Sequence, residues 1–375
     1  MKSRRTNQWK HRALASLLGC WGSLFFSLSN ADEEKVLNIY NWSDYIAEDT
    51  VTNFEKESGI KVRYATFDSS EILHAKLVAG RSGYDVVMSS TGWARMQADG
   101  GLLLPLDKSQ LPNLKNLDPV LTKKIAELDP GNRYMVNWLW GYTTVGINVD
   151  KVKAALGGMP MPDNAWDLIF KPEYASKLKS CGVSFLDSAS EVLPAALLYM
   201  GRNPGSKNQV DYAAATDMLS KIRPYVTLFS SSGYLNDVIN GSVCVAMGWS
   251  GDLGRATRRA KELGTGQTIQ AFLPKTGAVL FFDTMVIPAD APHPGNAHKF
   301  MNYIMRPEVH ASLTNKLSYG NPNIEARKFV KPEILGNPLV FPGANEMSRL
   351  VVQEAVNNET RRLASRTFTR FKTGL

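Results

Sequence analysis

The chain holds little cysteine and little histidine, three and five residues respectively out of 375. That scarcity argues against a metal scaffold: no two cysteines stand in C-x-x-C spacing, and no histidine lies close in sequence to Cys181 or Cys244. The common catalytic signatures are missing too. There is no H-E-x-x-H, no G-x-G-x-x-G and no G-x-x-x-x-G-K-[ST], and Gly248-Trp249-Ser250-Gly251 falls short of the G-x-S-x-G spacing of a nucleophile elbow. Zinc hydrolysis, dinucleotide binding and nucleotide phosphate binding therefore lack support, and the expectation is a binding protein without metal or cofactor, not an enzyme. His293 and His298, in a Pro- and Gly-bearing turn and helix start, read as surface groups. Beyond the N-terminus no run of 18 or more apolar residues occurs, so no membrane span is expected in the remainder.

The N-terminus is of another kind. Lys2, Arg4, Arg5, Lys10 and Arg12 precede an apolar stretch from Ala13 to Leu28 that closes on Ser29, Asn30 and Ala31. Basic start, apolar middle and small residues before a cut are the layout of a secretory signal peptide, here residues 1–31. Leu17-Leu18-Gly19-Cys20 offers a minority alternative, a lipoprotein box that would leave Cys20 acylated. The leader carries five Lys/Arg and no Asp/Glu, so its removal lowers the formal charge from +8 to +3. With that charge goes the case for a nucleic-acid protein. Arg255, Arg258, Arg259 and Lys261 remain clustered and read as a solvated helix face. In an exported protein the even pair left over, Cys181 and Cys244, is most simply a disulfide.

About 344 residues then remain, more than one hydrophobic core usually serves. Short β-rich runs alternate with helical patterns: Val36–Asn41, Asp49–Ser58 closed by Gly59, Ile60–Phe67, Ser70–Ala79, then the apolar run Tyr84–Met88. A second set runs from Thr143–Asn148 to Val243–Met247. Ala278–Ile287 and the helix Asn296–Met305 return to the first, and Ala344–Phe371 reads as long amphipathic helices. The fold class is α/β: a two-lobed clamshell of mixed, mostly parallel sheets flanked by helices. Residues 32–141 and 254–312 are expected in one lobe and 142–253 and 313–375 in the other, with a ligand cleft between them.

Five segments carry chemistry: Asn41-Trp42-Ser43-Asp44-Tyr45-Ile46, Phe185-Leu186-Asp187 with Glu191, Gly248-Trp249-Ser250-Gly251-Asp252, Phe281-Phe282-Asp283 and Ser318-Tyr319-Gly320-Asn321. Each is expected where a strand gives way to a loop or helix, the edge at which α/β sheets present ligand-binding groups. Aromatic faces beside carboxylates suit a flexible alkyl dication. The rings line its methylenes and attract its ammonium ends, while the carboxylates accept charge-assisted hydrogen bonds. In extended 1,4-diaminobutane (putrescine) the nitrogens lie roughly 6 Å apart, so two acidic groupings at that spacing would select it by length.

With these motifs in order, the sequence from Val36 onward resembles the polyamine-specific periplasmic substrate-binding proteins of ABC importers. The resemblance rests on NWSDYI at 41–46, YDVV at 84–87, CGVSFLD at 181–187 with Glu191, GWSGD at 248–252, FFD at 281–283 and SYGNPN at 318–323. It implies an aromatic box of Trp42, Tyr45, Trp249, Phe281 and Tyr319. Asp252 and Asp283 would hold one ammonium, with Ser43, Asp44 and Glu191 as further polar contacts and Ser90 and Ser231 as weaker ones. It also implies a Cys181–Cys244 disulfide, a monomer, and the membrane subunits of an ABC importer as partner. Putrescine is the leading ligand; a spermidine, cadaverine or agmatine receptor and a polyamine sensor are the alternatives. Two departures from the family pattern matter. The loop after Val87 reads Met88-Ser89-Ser90-Thr91, which leaves open whether Ser89 or Ser90 faces a ligand, and Ser190 stands where related receptors often carry an acid.

Overall fold

A computed structural model describes residues 33–264, 266–352 and 356–375. The leader and the lipoprotein box at Cys20 lie outside the described residues. Ten strands follow in chain order: β1 (Val36–Trp42), β2 (Lys61–Phe67), β3 (Val86–Ser90), β4 (Val136–Asn148), β5 (Val183–Phe185), β6 (Leu228–Phe229), β7 (Val245–Trp249), β8 (Ile269–Phe272), β9 (Ala278–Val286) and β10 (Leu350–Val352). Their order across the sheet is β2-β1-β3-β9-β4-β7-β5-β6, with β10 beside β9 and β8 beside β4.

The β2-β1-β3 end is parallel, as the βαβαβ pattern predicts. Local signals explain its helices. Gly59 takes the left-handed conformation (φ 68°) that ends Glu48–Ser58, and the Ser69 hydroxyl accepts from the Ile72 amide to start Ser70–Val78. At the other end β7, β5 and β6 are again parallel. Between the two ends run the antiparallel β9 and β4, and β4 is the long connector. Its first half, Val136–Tyr142, pairs with β9; its second half, Thr143–Ile147, pairs with β7, and Val145–Asn148 pairs with β8. Every residue of β4 is buried, its polar Asn137, Thr143, Thr144 and Asn148 included, so burial along the strand gives no sign of where one lobe ends.

Of the hydrophobic cores around this connector, two mark the lobes. One collects Leu37, Ile39, Trp138, Met285, Phe300 and Leu313; the other collects Val145, Trp166, Phe170, Phe185, Val245 and Leu253. Side chains of this size stabilise by about 1.5–3 kcal/mol each when fully buried.

The cores place the lobe crossings later than expected. Leu253, Ala256 and Ala260 form the buried stripe of helix Ser250–Glu262 and pack with β8 in the second core, so the chain returns to the first lobe after β8 and not at 254. Leu313, Leu317 and Tyr319 stay with the first core. Phe368 and Phe371 belong to the second, which puts the last crossing after β10 and not at 313. The C-terminal region is correspondingly less helical than its pattern predicts. Between the short helix Ala344–Met347 and the helix Asn358–Thr373, Leu350–Val352 pairs in parallel with Ala278–Leu280, because a strand edge was available there.

Cys181 and Cys244 are disulfide-bonded, with Cα atoms 5.4 Å apart. The bond joins the segment leading into β5 to the one leading into β7. Neither histidine is a free surface group: His298 is buried, accepts from the Asp107 amide and donates to the Pro294 carbonyl, and His293 is half-buried and hydrogen-bonded to Asp85.

Candidate functional site

The sheet edges of both lobes face one cleft of about 860 Å³, its open mouth included. All twelve residues singled out in the sequence line it: Trp42, Ser43, Asp44, Tyr45, Ser90, Glu191, Ser231, Trp249, Asp252, Phe281, Asp283 and Tyr319. Several stand where a strand ends. Trp42 closes β1, Trp249 closes β7, and Glu191 lies in the first turn of helix Ala189–Tyr199. Phe281 and Asp283 are exceptions, since β9 runs past them to Val286. Asp283 pairs in register with Ser90 of β3 and Leu139 of β4, so mid-strand residues reach the cleft where the two lobes meet.

The loop after β1 is held by Asn41. Its side-chain oxygen accepts from the Trp42 amide, and its nitrogen donates to the Tyr45 carbonyl at 3.0 Å and to Tyr64 Oη at 2.9 Å. Within that loop Asp44 adopts φ 54°, and Ser318, just before Tyr319, adopts φ 61°. Left-handed backbone disfavours residues with a Cβ, and here one such residue lines the cleft and another immediately precedes the cleft residue Tyr319. Tyr319 is packed closely: its ring meets Tyr45 edge-on at 5.0 Å, and a Cβ added to Gly251 would fall 2.3 Å from it. Gly251→Ala is therefore expected to destabilise the fold by about 1–3 kcal/mol, as overpacking of a rigid buried ring does. A thermal melt as high as the parent's would contradict this.

The acids fall into two groupings. In the first, Asp252 accepts from Tyr319 Oη at 3.1 Å, Tyr234 Oη at 3.0 Å and the Arg255 guanidinium at 3.4 Å. Burial raises its carboxyl despite Arg255 and the two hydroxyls, and Asp44 adds to the rise. In the second, Asp283 and Glu191 repel each other. Burial lifts each to about 7; the Tyr45 and Trp42 side chains oppose the rise at Asp283, and Thr143 and Trp249 oppose it at Glu191. Thr143 Oγ1 donates to Glu191. Trp42 Nε1 and Tyr45 Oη lie against Asp283 closely enough to favour its ionised form, yet neither reaches a partner with hydrogen-bond geometry among the described residues. Asp252 and Asp283 line the same cleft, and both charges act on the Tyr45 hydroxyl between their sets of partners.

Smaller points resolve as well. Ser90 faces the cleft, whereas Ser89 is buried and donates to Gln97. Ser43 donates to Asp68, and Ser231 accepts from the Asp187 amide. Asp187 itself pairs with Lys372 and does not line the cleft. Sequence reasoning missed Phe67, Asp68, Ser70, Ser232, Leu235 and, most consequentially, Arg255, assigned to a solvated face. Its side chain is only 16% exposed. The signal available was its spacing: Arg255 lies three residues after Asp252, on the same face of the helix.

A two-lobed α/β frame with a deep interlobe cleft defines a solute-binding protein of the type II periplasmic architecture. The chain belongs to the family of bacterial extracellular solute-binding proteins, whose model matches residues 49–341. It is 47% identical over 345 residues to a putrescine-binding periplasmic protein of Escherichia coli, covering 92% of this chain and 93% of that one. It is 40% identical over 338 residues to a putrescine/agmatine-binding protein of Pseudomonas aeruginosa, covering 90% and 92%. Among solved structures, a spermidine/putrescine ABC transporter substrate-binding protein from Streptococcus pneumoniae superposes with a TM-score of 0.73 at 27% identity, over 90% of this chain and 99% of that one.

Proposed function

We propose that this protein captures a short aliphatic diamine, putrescine foremost, in the periplasm and presents it to the membrane subunits of an ABC importer. The observation that carries the reading is the composition of the cleft. Two acidic groupings, Asp44 with Asp252 and Glu191 with Asp283, are combined with the aromatic faces of Trp42, Tyr45, Trp249, Phe281 and Tyr319. An ammonium buried without a partner costs several kcal/mol, so a dication requires an acidic acceptor at each end. The rings cover the methylenes between. Relatives named for putrescine binding support the choice of ligand. Binding energy here favours the closed arrangement of the lobes and makes no bond, which is a transport role and not a catalytic one.

The test is calorimetric titration of the mature protein, stripped of ligand by unfolding and refolding, with putrescine, cadaverine, spermidine, agmatine and a neutral diol of putrescine's length. One-to-one binding of a diamine with no binding of the diol is expected. Binding of the diol, or of no amine, would overturn the reading.

A further inference from the structure

One cation stands among the residues that line the cleft, and it belongs to the protein. Arg255 projects from helix Ser250–Glu262, packed in the second core, and its two guanidinium nitrogens take different partners. Nη2 lies 3.4 Å from Asp252 Oδ1, and Nη1 donates to the backbone carbonyl of Asp44 at 3.2 Å, which belongs to the loop after β1 in the first lobe. The guanidinium therefore spans the cleft between the lobes. Nε is buried with no partner among the described residues. A charged group this deeply placed is held by its bonds to both lobes, since an unpaired guanidinium would be drawn to water.

We propose that Arg255 is a specificity-determining residue, a fixed positive charge that closes the Asp252 end of the cleft against amines longer than a diamine. This rests on the reading that the cleft takes aliphatic amines. Asp252 Oδ1 already accepts from Tyr319 and Arg255, and Oδ2 from Tyr234. About one of the carboxylate's four lone-pair sites is left, enough for a single ligand ammonium and no second. A diamine of roughly 6 Å between nitrogens can place one end against Glu191 and Asp283 and stop short of the guanidinium. A triamine such as spermidine spans roughly 11 Å between its end nitrogens. Extended toward Asp252, it would bring a third positive charge against Arg255 in a buried setting, where like charges repel strongly.

The experiment compares Arg255→Gln and Arg255→Lys with the parent by titration with putrescine and spermidine, after thermal melts establish that each variant folds. The expected result is a rise of about tenfold or more in the spermidine-to-putrescine affinity ratio for Arg255→Gln. The lysine variant, which keeps the charge, should stay near the parental ratio. An unchanged ratio in Arg255→Gln, equal losses for both amines, or a lysine variant that behaves as the glutamine one would overturn the proposal. Failure of the parent to bind any amine would instead overturn the assigned function, so the two failures are distinguishable.

Discussion

Asp283→Asn is expected to weaken putrescine binding by about 3–5 kcal/mol, on the order of a hundred- to a thousand-fold or more, the usual consequence of removing one partner of a buried ion pair. The substitution keeps size and shape, so the loss reports charge. Asp283 lies mid-strand in β9 between β3 and β4, only 6% exposed, beside Trp42 and Tyr45. No cationic side chain is among the neighbours that set its ionisation, which leaves a ligand ammonium as its natural counter-charge. Asp252→Asn should cost less, about 1–3 kcal/mol, because Arg255 already offsets part of the charge there. Stability should move the opposite way at Asp283. A buried carboxyl raised to about 7 costs folding energy when ionised, so the ligand-free Asp283→Asn protein should melt at or above the parent's temperature at pH 8. Calorimetry and thermal melts of the two variants check both statements. Unchanged putrescine affinity in both would remove the proposed site.

Proton release on binding is the second large effect. Glu191 and Asp283 both titrate near 7 in the ligand-free protein and interact, so they are treated as a pair sharing protons around neutrality. A dication, whose amines stay protonated far above this range, requires both as carboxylates and drives their protons off. At pH 7 binding should release up to about one proton per ligand, read as a dependence of the measured enthalpy on the buffer's ionisation enthalpy. As pH falls below 7, affinity should fall by up to about tenfold per pH unit for each carboxyl that must be deprotonated. The stability of the ligand-free protein has the reverse sign. Between about 4.5 and 7 the native state binds more protons at these two sites than the unfolded chain does, so their contribution to stability decreases as pH rises through that window. The ligand-induced rise in melting temperature should therefore shrink on acidification from pH 8 to 5.5. Buffer-independent enthalpies together with a flat affinity over that range would contradict the assignment.

Much of this protein is legible in its sequence because much of it is local. NWSDYI, GWSGD and FFD bring aromatic and acidic groups together within a few residues, and the strand-to-loop geometry that exposes most of them follows from periodicity and from glycine and polar breaks. The helix Glu48–Ser58 with its Gly59 stop and the helix Ser70–Val78 with its Ser69 cap emerge near their expected bounds for the same reason. Where competing partners decide, the pattern alone misleads. Leu350–Val352 carries a helical pattern yet pairs with β9, and Arg255 reads as one of a run of exposed basic residues yet turns into the cleft beside Asp252.

The sequence by itself pointed to the exported α/β class and to Cys181–Cys244 as the simplest disulfide, and its resemblance to a known family supplied twelve of the residues that line the cleft, because motif order and side-chain chemistry are written residue by residue. Only the tertiary structure decided where the lobes divide, since β4 is buried along its whole length whichever lobe it serves. It alone also decided which partners each acid meets and in which direction burial moves it. Those are properties of distance and desolvation among residues as far apart in the chain as Glu191 and Asp283, or Asp44 and Arg255, and no local pattern records them.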